Sequence, residues 1–318
     1  YWNRLYEPAV IERDKAIKQA LRAAEIGADS GNAGLLFEPW TVQNRQGKPF
    51  RVFTPFWKQL LTVGLPQRPI AVPSIDSRLV TKAAFRALDA VPLDDLGLLP
   101  SIPWDAHMAE TWHVTREGAE GRLEEFIETD LRRYAQGRDL PARDQVSRLS
   151  PYLHFGQLGP REVVAACRHN RQASEPFLRE IGWREFAHHL LYHFPHTTDA
   201  AMDTRFDTFP WRDDDAQLQA WQCGRTGVPL VDAGMRQLWA SGWMHNRVRM
   251  IAASFLTKNL LLPWQAGARW FWDTLVDADL ANNTLGWQWV AGCGADAAPF
   301  FRIFNPVLQG RKFDPEGT

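Results

Sequence analysis

The chain has 318 residues, of which 45% are hydrophobic and 23% are charged, and its net charge at pH 7 is -1. This composition predicts a soluble globular protein, and the near-neutral charge excludes a polycationic chain that binds nucleic acid over its whole surface. No run of about 18 apolar residues occurs, so we expect no transmembrane helix. The three cysteines form no CxxC pair, which predicts neither a disulfide framework nor a metal site and suits a reducing cytoplasm.

Residues 1–63 combine one helical pattern with short strand-like segments. Apolar residues recur at helical spacing over Ala9–Ala24, whereas Leu35–Phe37 and Phe50–Phe53 are short apolar runs on either side of a turn-rich segment. A helix followed by short strands predicts the end of an α/β domain. Because the chain begins at Tyr1 in the middle of this pattern, we expect the start of that domain to be missing.

Proline is frequent in residues 64–118, which contain few long periodic runs, and we expect an interdomain linker there. Residues 119–318 carry helical periodicity almost throughout, with Gly or Pro between the runs. They therefore predict an all-helical domain, truncated at its C-terminal end. The helices that we expect after the linker cover 116–137, 158–170, 174–193, 214–223, 228–241, 245–261 and 264–275.

The segment Gly242–Pro306 is rich in tryptophan and contains the acidic turn Asp277–Asn283 between two helical runs. Because a buried indole needs both space and a partner for its N–H group, this concentration predicts a site for a flat aromatic ligand rather than an ordinary core. Dinucleotide-binding, P-loop and zinc-protease motifs are absent. The acidic turn lacks the glycine and the glutamate of a calcium loop, so we predict no metal site.

The segment around Ser147–Ser150 predicts the start of a helix. Ser150 stands before Pro151, which is a favourable pair for a helix N-terminus. Free N–H groups at such an end, with Ser147 and Arg148 beside them, are suited to a phosphate. A plain capped helix is the alternative interpretation of the same residues.

Glu180, Trp183 and Arg184 share adjoining surface of one predicted helix. A carboxylate, an indole and a guanidinium in this arrangement could stack on a nucleic-acid base and bind its edge. Amphipathic helix packing is the alternative. We interpret the histidines between His188 and His196 as helix-surface or supporting residues, because no carboxylate is placed with them as a metal ligand would be.

Several long motifs, in their order along the chain, resemble the photolyase/cryptochrome family, and the resemblance spans nearly all residues. It implies a mainly α fold, in which an all-helical FAD-binding domain is preceded by the C-terminal remnant of an α/β Rossmann-like antenna domain. The motifs that carry the resemblance are Tyr1–Pro8, Ser147–Leu153, Trp183–Phe186, Gly242–Arg247, Asp277–Leu280, Gly286–Trp289 and Phe301–Pro306.

The resemblance implies FAD as the cofactor. Arg249 and Asp277 correspond to the family's buried pair beside the flavin ring, and Asn283 falls where the family places the residue facing the flavin N5. An antenna chromophore of folate or deazaflavin type would add to the FAD, and its identity is open. The residues expected at the FAD are Tyr134, Ser147, Arg148, Leu149, Ser150, Trp243, Asn246, Arg249, Asp277, Asp279 and Asn283.

The resemblance also implies UV-damaged DNA as the partner, with a cyclobutane pyrimidine dimer flipped into a pocket. Catalytic roles fall to Glu180, Met250 and Asn283. Trp287, Trp264 and Trp211 match the family's electron-transfer chain, although structural tryptophans would give the same pattern. The residues expected to contact DNA or the dimer are Arg138, Glu180, Trp183, Arg184, Asn246, Arg247, Met250, Trp289 and Arg302.

These motifs favour a deoxyribodipyrimidine photo-lyase, which repairs cyclobutane dimers by light-driven electron transfer from reduced FAD. Asn283 favours this activity because plant-type cryptochromes usually carry Asp there, and Met250 favours it because (6-4) photolyases place a His there. A cryptochrome-type blue-light receptor and a (6-4) photolyase are the alternatives. We expect a cytoplasmic monomer that has no membrane association and no obligate protein partner.

Overall fold

The computed structural model describes residues 1–66, 91–299 and 302–317, most of which are helical. Residues 67–90 of the expected linker lie outside these ranges. Within the ranges, no helix combines the length and the apolar character that a membrane crossing requires.

A strand–helix–strand unit opens the chain. β1 (Trp2–Asn3) and β2 (Ser30–Gly31) pair in parallel, with Trp2 opposite Ser30, and α1 (Pro8–Ala23) connects them. A parallel pair requires a crossover of this kind, and a helix is its usual form. This unit confirms the expected α/β character of the N-terminal part of the chain.

Residues Leu35–Phe37 and Phe50–Phe53 form no strand, so this expectation was wrong. Leu36 is buried, and its N–H group donates to the carboxylate of Glu185 at 2.9 Å instead of to a neighbouring strand. Phe53 begins a helix, α2 (Phe53–Val63). Short apolar runs do not distinguish a strand from buried helical or irregular backbone, which explains the error.

The helices expected after the linker agree with the structure to within a few residues, with two exceptions, and one short helix, Ala106–Thr111, lies inside the expected linker. Turns at 130–133 divide the helix expected over 116–137, and the helix expected over 245–261 continues after its first part as a π-helical turn, Phe255–Asn259. The helices are α3 (Ala106–Thr111), α4 (Arg116–Thr129), α5 (Tyr134–Gly137), α6 (Ser150–His154), α7 (Pro160–Ala166), α8 (Arg171–His193), α9 (Asp215–Gln222), α10 (Pro229–Ser241), α11 (Asn246–Ser254), α12 (Trp264–Thr274), α13 (Leu280–Ala291) and α14 (Pro306–Phe313).

The long helix α8 connects the N-terminal part of the chain to the helical part, because it packs against α2 and α5 and also against α13. Gly182 permits the close approach of α2, since a Cβ atom at this position would lie 2.4 Å from the ring of Trp57. Phe53, Phe56 and Trp57 of α2 are buried in one apolar cluster with Phe186 of α8. The N-terminal part is therefore packed onto the helix that carries Glu180, Trp183 and Arg184.

Helices α10 to α13 enclose a large apolar core. Gly267 of α12 faces Trp287 of α13, where a Cβ atom would lie 2.0 Å from the indole, so glycine is required for this approach. The turn between α12 and α13 ends at Asp279, whose carboxylate accepts a hydrogen bond from the N–H group of Asn282 at 2.8 Å and caps α13. This turn carries Asp277 and Asp279 to the position where α8, α11 and α13 meet.

Candidate functional site

Two adjoining cavities lie where α8, α11 and α13 meet. Their volumes are about 410 Å³ and about 280 Å³. Because they share a polar wall, molecules bound in the two cavities would be neighbours. The residues that line both are Arg138, Glu180, Asn246, Arg249, Asp277, Asp279 and Asn282.

The larger cavity brings together almost all the residues expected on the substrate side. They come from α8, α11 and α13 and from the residue that follows α5. Helical spacing of three or four residues places several of them on one face of their helix. They are Arg138, Glu180, Trp183, Asn246, Arg247, Met250 and Trp289, and Asn283 and Trp287 line the same cavity.

Arg184 and Arg302 lie elsewhere, which differs from the expectation. Arg184 lines the smaller cavity, and its guanidinium donates to the carbonyl oxygen of Gly34 at 2.6 Å. It points away from Trp183 because consecutive residues of an α-helix are about 100° apart. Arg302 is exposed outside both cavities, with its guanidinium 5.1 Å from the ring centroid of Phe304.

The smaller cavity is lined by most of the residues expected at the FAD. Arg148 has a backbone φ of 52°, in the left-handed region that residues other than glycine rarely adopt. Its guanidinium lies 4.9 Å from the ring centroid of Trp243 and 3.0 Å from the carboxylate of Asp144. The expected residues in this lining are Tyr134, Ser147, Arg148, Leu149, Ser150, Trp243, Asn246, Arg249, Asp277 and Asp279.

An ion pair between Arg249 and Asp277 forms part of the shared wall. Nη2 of Arg249 lies 2.9 Å from Oδ2 of Asp277, and Nε of Arg249 donates to the carbonyl oxygen of Met244 at 2.7 Å. The side chain of Asp277 is only 3% exposed, and its Oδ1 has no hydrogen-bond partner among the described residues. An unpaired buried acceptor is costly, so this atom is suited to a ligand that donates a hydrogen bond.

Two histidines converge on Asp279 in the same wall. Nε2 of His188 and Nδ1 of His154 lie 3.4 Å and 3.8 Å from its Oδ2. Burial disfavours the charged carboxylate, but attraction to His188 and hydrogen bonding with both histidines keep the pKa of Asp279 well below its ordinary value. Across the described ranges, no group of three or more His, Cys, Asp or Glu side chains is arranged to hold a metal ion.

Two ion pairs beside the larger cavity involve the consecutive residues Arg138 and Asp139. Nη1 of Arg138 lies 2.5 Å from Oε1 of Glu180, and Nη2 of Arg247 lies 2.6 Å from Oδ1 of Asp139. Burial opposes the charge on Arg138, but the hydrogen bond that its guanidinium donates to the carboxylate of Glu180 gives the pKa of Arg138 a net increase. Sequence reasoning missed Asp139, although its position directly after Arg138 was a signal.

The three tryptophans expected to transfer electrons belong to one apolar cluster. Trp287 lines the larger cavity, Trp264 is buried, and Trp211 is partly buried against the cluster. The ring centroid of Trp287 lies 5.0 Å from that of Phe271 and 6.1 Å from that of Trp221. Trp221 was not expected in this environment, since its sequence context resembles that of any helical core residue.

Asn283 lies on α13 between the shared wall and Trp287. Its side-chain amide nitrogen donates to the carbonyl oxygen of Ala268 at 2.9 Å, which holds the side chain against α12. Asn283 lines only the larger cavity, whereas its neighbour Asn282 lines both. Sequence reasoning did not single out Asn282.

Comparison with known families identifies two matches. Residues 177–318 match the FAD-binding domain of DNA photolyase, and residues 1–74 match the DNA photolyase family. A deoxyribodipyrimidine photo-lyase of Agrobacterium fabrum is 47% identical to the chain over 99% of its length, and a photo-lyase of Thermus thermophilus is 43% identical over 98%. Cryptochrome-2 of Arabidopsis thaliana is 39% identical over 99%. The chain spans 66%, 68% and 54% of these three relatives.

Solved structures give the same result. A bacterial class III photolyase from Agrobacterium tumefaciens superposes with a TM-score of 0.88 at 44% identity and covers 99% of this chain, which spans 66% of that structure. An archaeal photolyase from Sulfolobus tokodaii, whose structure contains two FAD molecules, superposes with a TM-score of 0.78 at 31% identity, with coverages of 99% and 66%.

Proposed function

The chain belongs to the photolyase/cryptochrome family, and on this basis we propose that the protein containing it repairs cyclobutane pyrimidine dimers in DNA as a deoxyribodipyrimidine photo-lyase. The observation that carries the proposal is the pair of adjoining cavities. Most residues expected at FAD line the smaller cavity and the shared wall, and most of those expected at a flipped-out dimer line the larger cavity, as Asn283 does. The shared wall would bring an electron donor and the damaged base together.

The smaller cavity and the wall that it shares with the larger one hold side chains suited to FAD. Backbone N–H groups at the start of α6, over Ser147–Ser150, and the guanidinium of Arg148 suit its phosphates. The unpaired Oδ1 of Asp277 suits an N–H group at the polar edge of the flavin, with Arg249 and Asn283 beside it. When bound and reduced, FAD supplies a light-excited electron donor.

The larger cavity holds side chains suited to a pyrimidine dimer. Trp183 offers an indole for base stacking, which contributes about 1–3 kcal/mol per base. The carboxylate of Glu180 can accept a hydrogen bond from a pyrimidine N–H group, while Met250 and Trp289 exclude water. Two bonds of the cyclobutane ring then break without net oxidation or reduction, so repair requires light but consumes no co-reactant.

Damaged bases enter such a cavity more readily than intact ones. A dimer stacks and pairs poorly, so its extrusion from the duplex costs less free energy. Arg138 and Arg247 would contact the DNA backbone, which positions the lesion without reading the sequence. These contacts are local, and they are therefore compatible with a chain of net charge -1.

A cryptochrome-type photoreceptor is the second candidate function, because Cryptochrome-2 of Arabidopsis thaliana is 39% identical to the chain. Asn283 and Met250 favour repair of cyclobutane dimers over signalling and over (6-4) repair, respectively. Asn cannot donate a carboxyl proton to the flavin, and Met cannot act as an acid.

We also propose that the protein acts as a monomer in the cytoplasm, without an obligate protein partner, and that an antenna chromophore of folate or deazaflavin type accompanies the FAD. The three free cysteines, two of them buried, suit a reducing compartment. Sedimentation and chromophore extraction from the full-length protein would test these points.

A repair assay tests the proposed activity. The full-length protein with reduced FAD is illuminated with an oligonucleotide that contains one thymine cyclobutane dimer, and restored thymines are measured by chromatography. We expect restoration in the light, none in the dark, and none with a (6-4) photoproduct. Bound, reducible FAD without restoration would contradict the proposal and favour a photoreceptor, for which a light-dependent binding partner would be sought.

A further inference from the structure

Arg138 and Asp139 are consecutive and oppositely charged, and each pairs with a residue of the larger cavity. Arg138 pairs with Glu180 at 2.5 Å, and Asp139 pairs with Arg247 at 2.6 Å. Nε of Arg138 lies much farther from Asp139, at 4.0 Å, so the main partner of Asp139 is Arg247. The two arginines of this cavity that would contact the DNA backbone, Arg138 and Arg247, are thus already paired with a carboxylate. Asp139 itself lines neither cavity.

Arg247 is held from two sides. Its guanidinium carbon lies 4.6 Å from the ring centroid of Phe313, and Asp139 is the only carboxylate that pairs with it in the part of the chain that the structure describes. The side chain of Arg247 is 16% exposed, whereas that of Asp139 is 36% exposed. The arginine is therefore largely enclosed, and its acidic partner is on the accessible side of the pair.

A DNA phosphate that binds Arg247 must compete with Asp139. Both anions seek the same N–H donors, and a short charge-assisted hydrogen bond of this kind is among the stronger polar contacts. Asp139 would also lie close to the incoming phosphate, and like charges repel. Breaking the pair between Arg247 and Asp139 therefore reduces the net free energy that the phosphate contact contributes to DNA binding.

We propose that Asp139 limits the affinity of the protein for the DNA backbone by competing with phosphate for Arg247. The inference rests on the proposed function. The competition weakens binding to any duplex, damaged or intact, so that stable binding depends more on the contacts of a flipped lesion inside the cavity. Asp139 is thus a positioning residue that acts through Arg247.

The test is a double-mutant cycle on the affinity of the full-length, FAD-containing protein for an undamaged duplex at fixed ionic strength. We expect D139N to tighten binding about two- to fivefold, the factor that corresponds to an exposed ion pair. R247Q should weaken binding, and D139N should have no further effect in the R247Q background. D139A provides a second variant in case D139N folds poorly.

A matched control separates competition from general repulsion. Glu128 is exposed, and E128Q removes the same charge without altering an ion pair described in the structure. Tightening by E128Q equal to that by D139N, or tightening by D139N that persists with R247Q, would overturn the inference. Unchanged or weaker binding by D139N would also overturn it. In each case normal dimer repair by the wild-type protein would leave the proposed function intact.

Discussion

The ring of Phe53 stacks on the indole of Trp183, with 3.8 Å between the ring centroids and 10° between the planes. Phe53 is fully buried at the start of α2, whereas Trp183 lines the larger cavity from α8. One face of the proposed base-stacking residue is therefore covered by the N-terminal part of the chain. Phe53 contributes to the site without lining it.

We expect F53L to weaken binding of dimer-containing DNA more than binding of undamaged DNA, because Leu cannot hold the indole by parallel stacking. The loss of stability should be about 1 kcal/mol, as for other swaps of similar volume combined with a lost aromatic pair. Binding titrations and urea unfolding measure the two effects. F56L is the matched control: Phe56 is buried in the same helix and packs on Phe186, not on Trp183. Equal loss of dimer binding in both variants would contradict this role of Phe53.

We expect D277N to reduce the FAD content of the purified protein and to destabilise it by about 2 kcal/mol or more, because the variant leaves Arg249 without its charged partner. Absorbance of bound flavin and urea unfolding measure these changes. D273N is the control, since Asp273 is exposed on α12. Normal flavin content in D277N would show that the ion pair does not support the cofactor site.

His189 predicts a pH dependence of stability. Its Nε2 accepts a hydrogen bond from the N–H group of Phe50 at 3.0 Å, and its Nδ1 faces the carbonyl oxygen of Pro39 at 3.3 Å, which fits a neutral ring. Burial, together with the neighbouring His193, lowers the pKa of His189 from 6.5 to about 4. The unfolded chain therefore binds a proton that the folded protein does not, and stability should fall as the pH drops from about 6.5 to about 4.

The expected loss from His189 is up to about 3 kcal/mol over that interval. H189Q should reduce the pH dependence, since Gln offers a donor and an acceptor but does not titrate. H196Q, which changes an exposed histidine, should leave the pH dependence of stability as in the wild type. Free energies of unfolding at pH 7, 6, 5 and 4 test this, and equal slopes in wild type and H189Q would refute the assignment.

We expect W287F to slow light-driven reduction of oxidised FAD strongly, because Trp287 lies one helical turn from Asn283, the residue expected to face the flavin, and belongs to the same cluster as Trp264. W221F is the matched control. Trp221 is equally buried, with its ring centroid 6.1 Å from that of Trp287, but lines neither cavity. Transient absorption after a light pulse measures the rate. Comparable slowing by W221F would show that any tryptophan of this cluster affects the rate, and would contradict a specific electron-transfer role of Trp287.

Much of the site was predictable because its residues are grouped in short motifs on single helices. Asn246 and Met250 are four residues apart, as are the Asp279 cap and Asn283, so local periodicity alone places each pair on one face. The sequence also predicted the helices from their apolar spacing. It predicted the wrong type of structure for Leu35–Phe37, because the N–H groups of Leu36 and Phe37 donate to the carboxylate of Glu185, which is 149 residues away from Leu36.

The contacts that were not predictable join distant segments. Phe53 stacks on Trp183, and Asp139 pairs with Arg247, and neither partner carries a local pattern that identifies the other. Arg184 was expected with the substrate-side residues. Because it directly follows Trp183, it faces a different side of the helix, where it donates to the carbonyl oxygen of Gly34. Tertiary packing determines such contacts, and the spacing of residues along a single sequence does not reveal them.

The most direct test measures whether a dimer bound in the larger cavity accepts an electron from light-excited reduced flavin. Fluorescence of the reduced FAD in the full-length protein is followed while an oligonucleotide with one thymine dimer, or its undamaged counterpart, is added to saturation. We predict that the dimer quenches the fluorescence, that undamaged DNA does not, and that W183A weakens the quenching. Unchanged fluorescence at saturating dimer would contradict the claim that the two cavities hold the electron donor and the lesion side by side.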